Sequence, residues 1–246
     1  MATETFVLPG DTINTDILPS HPTLPLKLGP GLRHIPPNTI TSTVAGQLCT
    51  DKRKNAVWVE YNGSRYVPTV GDLVIATVQK SAVDHFYASL SDYTPNAALP
   101  QLSFEGATKK TRPQLNTGAL VYARVTLANK HMEPELECVS SSTGKSEGLG
   151  PLNGGMLFSV SLAMARRLMF PKPVEQGNLV LLDTIGEGGV PFEIAVGRNG
   201  KVWVDSKNIK TTLAIGKGIQ DTDTKSLTVE EQKKLAKKIV KDVKDS

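Results

Sequence analysis

The octapeptide from Gly71 to Val78, "GDLVIATV", returns as "GALVYARV" from Gly118 to Val125, and both copies read Gly-x-Leu-Val-x-Ala-x-Val. Eight residues rich in β-branched and apolar side chains form a strand. A glycine at the head of each copy lets the chain bend or tighten where it enters that strand. Between and after the copies lie "HFYASL", "AALPQLSF" and "PELECV". About five short strands in so small a stretch suit a Greek-key barrel of the OB kind, whose strand face and loops take single-stranded nucleic acid.

The flanking segments differ in character. Up to about Val67 the chain is rich in Pro and Gly, with turn signals at Pro9-Gly10-Asp11, Gly29-Pro30-Gly31 and Pro36-Pro37-Asn38. Its alternating run "NAVWVEY" is closed by Asn62-Gly63, a dipeptide that favours a two-residue hairpin because both central residues need positive φ. The reading is irregular, short-stranded β structure. Its long loop from Asp11 to Pro37 is expected to lie against the next domain or another protein. Beyond about Gly150 come a strand in "GMLFSVSL", a helix in "SLAMARRLMF" with Ser161 as N-cap, and a second helix in "NLVLLDTIG". Strands in "FEIAV" and "KVWV" and a helical "NIKTTLAIG" complete the order βααββα. Thr228 to Glu231 has the form of a capping box, and Leu235, Ile239 and Val243 recur at four-residue spacing, so an amphipathic helix is expected at the C-terminus.

Charge and chemistry narrow the function. Lys and Arg exceed Asp and Glu by 28 to 24 in 246 residues, so any nucleic-acid site must be a local patch. Cys49 and Cys138 stand far apart with no ligand-spaced partner, which argues against a zinc site and for ordinary residues of a reducing compartment. No secretory leader or membrane-length apolar run is present, and an intracellular, soluble protein is expected. There is no Gly-x-Ser-x-Gly elbow, Walker A loop or His-Glu-x-x-His. His21, His34, His85 and His131 are dispersed, and Glu133 and Glu135 read as a solvated strand face. No catalytic constellation and no cofactor is expected.

Nucleic-acid binding has better candidates. "GATKKTRPQL" places Lys109, Lys110 and Arg112 in a loop between barrel strands, where cationic side chains can track a phosphate backbone. On "DHFYASL", alternate members of His85, Phe86 and Tyr87 could stack on bases, while at least one faces the core. The basic run "KKLAKKIVKDVK" reads as the solvent face of the C-terminal helix. Gly197-Arg198-Asn199-Gly200 has the Gly-x-x-Gly form of the KH clamp, which in RNA-binding KH domains joins two helices. Here it falls between two strands, and the helix junction would be "MFPKPVEQGN". Gly197, Asn199 and Gly200 therefore read as a structural hairpin corner.

With "FVLPGD", "KLGPGL", "SRYVPTVGDLVI", "ATKKTRPQLNTGALVYARV", "ELECVSSSTGK" and "FEIAVGRNGKVWV" in this order, the chain resembles the S1/KH cap subunits of the eukaryotic RNA exosome over almost its whole length. The resemblance implies a multidomain β and α+β fold. Its parts are an irregular N-terminal β domain (1–67), an S1-type OB barrel (68–149) and a KH-like α/β domain with a C-terminal helix (150–246). It further implies a non-catalytic role beside a ring of RNase PH-like subunits and other S1/KH cap subunits, in nucleus, nucleolus and cytoplasm. Single-stranded RNA would thread through the ring to a separate 3′-to-5′ exoribonuclease, with no membrane involved. Two readings stay open beside it, a free-standing RNA-binding module of translation or ribosome assembly and an RNA-processing enzyme.

Overall fold

A computed structural model describes residues 5–20, 24–52, 55–63, 65–140, 142–170 and 178–244. The chain divides into two units, Met1–Gly63 and Ser64–Ser246.

The first unit is a small β structure. β1 (Thr5–Val7), β5 (Gly46–Asp51), β6 (Ala56–Glu60) and β2 (Lys27–Leu28) form a sheet in the order β1-β5-β6-β2. β3 (Leu32–Ile35) and β4 (Thr39–Ser42) form a separate hairpin. Alternation in β6 sends Val57 and Val59 into a core shared with Val7, Ile13, Ile40 and Leu48. The segment from Asp11 to Pro37 is partly structured, since it contributes β2, β3 and a 3-10 turn at Thr15–Ile17. Asn62-Gly63 does not turn a hairpin. The antiparallel partner of β6 is β5, which precedes it, and Asn55, just before β6, takes a positive φ of 48°. The dipeptide instead ends the unit, where both edges of β6 are already taken by β5 and β2.

In the second unit the repeated octapeptides become β7 (Leu73–Ser81) and β10 (Leu120–Leu127), and they pair antiparallel with one another. Their ends are matched. Gly71 N–H donates to Val125 O at 2.8 Å, and Gly118 N–H donates to Val78 O at 2.7 Å. Both glycines take positive φ, 91° and 88°, which lets the chain turn into each strand at the same relative point. The shared Val, Ala and Val have a period of two and are the inward face. Val74, Ala76, Val121, Ala123 and Val125 are wholly buried, and Val78 nearly so. β8 (His85–Ser89), β9 (Ala97–Pro100) and β11 (Glu135–Glu137) complete a sheet in the order β11-β9-β8-β7-β10, which closes through a β11–β10 pairing. Closure removes the free edges, and Phe86, Ala88, Leu99 and Leu136 fill the interior. β12 (Gly150–Leu152) also pairs with β10, so the chain stays on the barrel through Leu152.

The rest of the unit is the KH-like α/β domain. β13 (Met156–Ser159), β15 (Lys201–Asp205) and β14 (Glu193–Gly197) form a three-stranded antiparallel sheet. It is covered by α1 (Leu162–Leu168), α2 (Leu181–Glu187) and α3 (Ile209–Thr224). Ser161 caps α1 by accepting from Met164 N–H at 3.0 Å, and its own N–H and hydroxyl are held by Asp223 at 2.6 Å each. α3 runs well past the expected "NIKTTLAIG" despite two internal glycines, because a side chain there would collide. A β-carbon on Gly216 would overlap the Phe158 ring, and one on Gly218 would lie 2.8 Å from Ile239 Cδ1. α4 (Val229–Lys244) buries Ala236 and Ile239 with Leu235, Val240 and Val243 beside them. Buried Gln232 ties its first turn down, accepting from Val180 N–H and donating to Asn178 O and Leu227 O. The capping box appears in part, with Thr228 N–H and hydroxyl both donating to Glu231 Oε2.

The two domains of this unit are joined at the tip of the β14–β15 hairpin. The last pair is Gly197 with Lys201, leaving the loop Arg198-Asn199-Gly200. Only Gly200 of that loop takes positive φ, at 75°, as expected for a three-residue turn that ends in a left-handed residue. A β-carbon at Gly200 would sit 2.7 Å from Val160 O, and one at Gly197 would sit 2.7 Å from Ile75 N. β8 pairs with β7 only from Thr77 onward, so the backbone of Leu73 and Ile75 extends beyond it. The hairpin tip occupies that edge. Arg198 N–H donates to Leu73 O at 2.7 Å, and Asn199 Nδ2 donates to Ile75 O at 2.9 Å and Leu90 O at 2.7 Å. Asn199 Oδ1 accepts from Ile75 N–H at 3.3 Å.

Asn199→Ala strands three backbone groups in a site that is 6% exposed at the asparagine. The expected cost is about 3 kcal/mol, or roughly 10 °C in Tm for a unit of this size. Arg198→Ala, which removes only a half-exposed ion pair, should cost less than about 1 kcal/mol. Equal melting temperatures for the two variants by circular dichroism would contradict the assignment of the joint to the Asn199 amide.

Candidate nucleic-acid interface

The three cations read from sequence lie in the connection between β9 and β10. Phe104 anchors this connection in the barrel core, with Ala107 and Leu115 packed beside it. Ser103 O accepts from Cys138 N–H at 2.9 Å, and Glu105 accepts from Ser146 N–H at 2.8 Å. That last bond is the main cause holding the Glu105 carboxyl below its ordinary pKa. The connection is therefore braced at several points along its length.

Within it, Thr108 to Thr111 form a turn. Thr111 N–H donates to Thr108 O at 3.1 Å, Thr108 N–H donates to Thr111 Oγ1 at 3.1 Å, and the two hydroxyls lie 2.8 Å apart. Threonine hydroxyls that bond back to nearby backbone stabilise such turns. Lys109 and Lys110 occupy the central positions with exposed side chains. Arg112 follows, half-buried, and its Nη1 donates to Val83 O at 3.2 Å in the β7–β8 turn. The structure thus brings all three cations onto one braced turn at one end of the barrel. Arg112 is partly committed to the fold, leaving the two lysines as the free charges.

The aromatic candidates separate as the strand period requires. Phe86 is buried in the core, while His85 and Tyr87 emerge together on the outer face, edge to face with ring centroids 4.6 Å apart. They line a groove of about 570 Å³ with Asp84, Ala98, Pro100, Met132, Glu133 and Glu135. Asp84, Glu133 and Glu135 are exposed. A rim of three carboxylates opposes a phosphate backbone laid along this face, whatever the rings offer to a base. Sequence reading took Glu133 and Glu135 as a solvated strand face but did not connect them with His85 and Tyr87. Only barrel closure, with Glu135 registered opposite Ala98, brings them together.

Gly197, Asn199 and Gly200 lie at the domain joint with polar partners around them. Tyr66 hydroxyl donates to Asp72 Oδ2 at 2.9 Å, and Asp72 Oδ1 stands 3.4 Å from Arg198 Nε. Burial, and next the Asp72 charge, push the Tyr66 phenol far above its ordinary pKa. Tyr122 hydroxyl donates to Val196 O at 3.2 Å. Burial pushes the Lys201 ammonium down, and Asp92 partly opposes the shift. Tyr66, Asp72 and Arg198 were not singled out in the sequence. Their spacing of six and then more than a hundred residues carries no local signal.

The remaining candidates are dispersed. His34 lies on β3 and His131 in an exposed loop, whereas His21 and residues 171–177 of the helix junction lie outside the described residues. Burial pushes the Cys138 thiol up to about 12 and raises Cys49 as well. Among the described residues no group of three or more His, Cys, Asp or Glu is placed to hold a metal ion, and no helix is long and apolar enough to cross a membrane.

A closed five-stranded barrel joined through a Gly-x-Asn-Gly hairpin to a βααββα domain defines an S1/KH protein. Family models match in the same order. They are the Exosome complex exonuclease Rrp40 N-terminal domain over residues 26–65, the S1 domain of exosome complex component RRP40 over 66–150 and a KH domain over 155–210. Exosome complex component RRP40 of Saccharomyces cerevisiae is 37% identical over 91% of this chain and 91% of its own length. That of Schizosaccharomyces pombe is 39% identical over 96% and 95%. The Drosophila melanogaster protein is 37% identical over 89% of each. The chain belongs to the RRP40 family of exosome components. A solved structure described as a candidate exosome complex RNA-binding protein shares the fold, with a TM-score of 0.56 at 24% identity over 73% of this chain and 97% of its own.

Neutralising the groove by Asp84→Asn, Glu133→Gln and Glu135→Gln should tighten binding of a labelled single-stranded RNA several-fold at about 0.05 M salt. The gain should vanish near 1 M, where charges are screened within about 3 Å. Weaker binding in this triple variant would show that the carboxylates help to hold RNA.

Proposed function

We propose that this chain is a non-catalytic, RNA-binding cap subunit of an RNA exosome, resting on a ring of RNase PH-like subunits beside other S1/KH subunits. In this role it guides single-stranded RNA toward a separate 3′-to-5′ exoribonuclease, in RNA degradation and in ribosomal RNA maturation. The modules are read as 1–67, 68–149 and 150–246, and the sites of action as nucleus, nucleolus and cytoplasm. The observation that carries the reading is the likeness to exosome components along nine tenths of the length, across all three modules.

The physical site favours the same reading. Lys109 and Lys110 project from a braced turn with Arg112 behind them, so little ordering is required of the loop when RNA arrives. Three cations give modest affinity that depends on salt, which suits a chain that must pass RNA onward. The non-catalytic role is supported by the lack of any recognised nucleophile, phosphate-loop or zinc-protease motif in the sequence. The Gly-x-Asn-Gly is spent on the joint, with its amide facing Ile75 and Leu90 and unable to cradle a phosphate.

Reversing Lys109, Lys110 and Arg112 to Glu should weaken RNA capture by the assembled complex without releasing the subunit from it. The slope of log K against log salt should become shallower by about 2, given roughly 0.7 per phosphate contact on a single strand. Unchanged RNA crosslinking in the intact triple variant would remove these residues from the site. A free-standing module predicts strong RNA affinity for the isolated chain, and co-purification without ring subunits would favour it.

A further inference from the structure

The basic excess of the chain is concentrated in the last three turns of α4. Residues 233–244 contain Lys233, Lys234, Lys237, Lys238, Lys241 and Lys244 against Asp242, a net of +5, whereas the whole chain carries +4. The other residues together are therefore at −1. All six lysines are exposed. At 100° per residue they fall within an arc of about 140° and extend about 17 Å along the axis. The opposite face is used up, with Leu235, Ala236, Ile239, Val240 and Val243 packed on the domain core. Gln232 fixes the helix at its start.

Nothing in the fold requires this arrangement. Lys233 and Lys237, Lys234 and Lys238, and Lys237 and Lys241 are like charges four apart, and three further pairs are three apart, all of which destabilise a helix. The helix dipole favours cations only in the final turn, at Lys241 and Lys244. Among the described residues none of the six forms an ion pair, although Glu231 lies close enough to Lys234 to feel its charge. A helix needing only solubility would gain by interleaving acids.

We propose that the lysine face of α4 is a second phosphate-tracking surface for single-stranded RNA, separate from the Lys109–Arg112 turn. It rests on the RNA-binding reading of this chain. α4 packs on α2 and α3, while β14 and β15 lie against β7 of the barrel. Cations repeated at every helical turn match the repeating charge of a nucleic-acid backbone, which needs no base-specific groups to bind.

The test measures fluorescence anisotropy of a labelled 24-nucleotide oligouridylate with the full chain across a salt series. Lys234→Gln, Lys237→Gln, Lys238→Gln and Lys241→Gln together should weaken binding about tenfold at 0.05 M salt and make the salt slope shallower by roughly 3. Tm should hold or rise, and Lys→Arg at the same positions should keep both affinity and slope. Unchanged binding overturns the proposal, and so does a lower Tm, which would make the lysines structural. If the loop variant (Lys109→Gln, Lys110→Gln, Arg112→Gln) alone loses RNA, the helix proposal fails and the RNA-binding reading stands. If the helix variant alone loses it, the helix stands and the loop assignment fails. If neither does, both fall. Polyglutamate of equal length serves as the second probe, and its equally tight, equally lysine-dependent binding would make the face a site for acidic protein and overturn the RNA assignment.

Discussion

One carboxamide anchors the joint between the two domains of the larger unit. Asn199 meets a strand edge that β8 leaves uncovered and supplies, from a side chain, the donor and acceptor that a neighbouring strand would have given. A buried peptide group without a partner is costly, so the edge of β7 must be met by something with a fixed pattern of donors and acceptors. An aspartate would place a charge against two carbonyls, and an aliphatic residue would leave them bare. The neighbouring glycines follow from the same demand, since β-carbons at Gly197 and Gly200 would enter the backbone of Ile75 and Val160. A sequence pattern associated elsewhere with clamping RNA is here committed to protein.

Because the joint fixes the KH-like domain against the barrel near the start of β7, it covers outward positions of the repeated strands. Ile75 points out of the barrel by strand alternation, yet it is fully buried, and its register partner Tyr122 donates to Val196 O. The opposite end of the barrel is left clear of this joint. There the β9–β10 connection presents Lys109 and Lys110 on a threonine-braced turn, and the outer face beside it is rimmed by Asp84, Glu133 and Glu135. Positive charge is thus gathered at one end of the barrel and negative charge along the adjoining β8–β9 face, which under the proposed role would favour the end over the face for a phosphate backbone. The electrostatics of a chain close to neutral are thus local, with a second basic region gathered on α4.

The repeated octapeptide, the Ser161 cap and the four-residue apolar spacing of α4 were legible because each depends on neighbours a few residues away. The hairpin at "GRNG" was legible for the same reason. Asn62-Gly63 misled, since a turn dipeptide makes a hairpin only where the strand before it has a free edge, and β6 lies between β5 and β2. The length of α3 was hidden because Gly216 and Gly218 normally weaken a helix, and only Phe158 and Ile239 show why they are needed. The groove of His85, Tyr87 and three carboxylates was hidden because its walls come from β8, β9 and the approach to β11, which meet on closing the barrel.

The sequence by itself determined the elements and their inward faces, since periodicities of two and near four act through local backbone geometry. It also determined that charge must act in patches. The tertiary structure alone decided which polar residues are engaged by the fold and which project into solvent. Asn199, Asp72, Tyr66 and Arg112 are as polar as Lys109 and Lys110. Only the first four face backbone or charged partners brought from distant parts of the chain, and the energy of a polar group is set by the partner it meets.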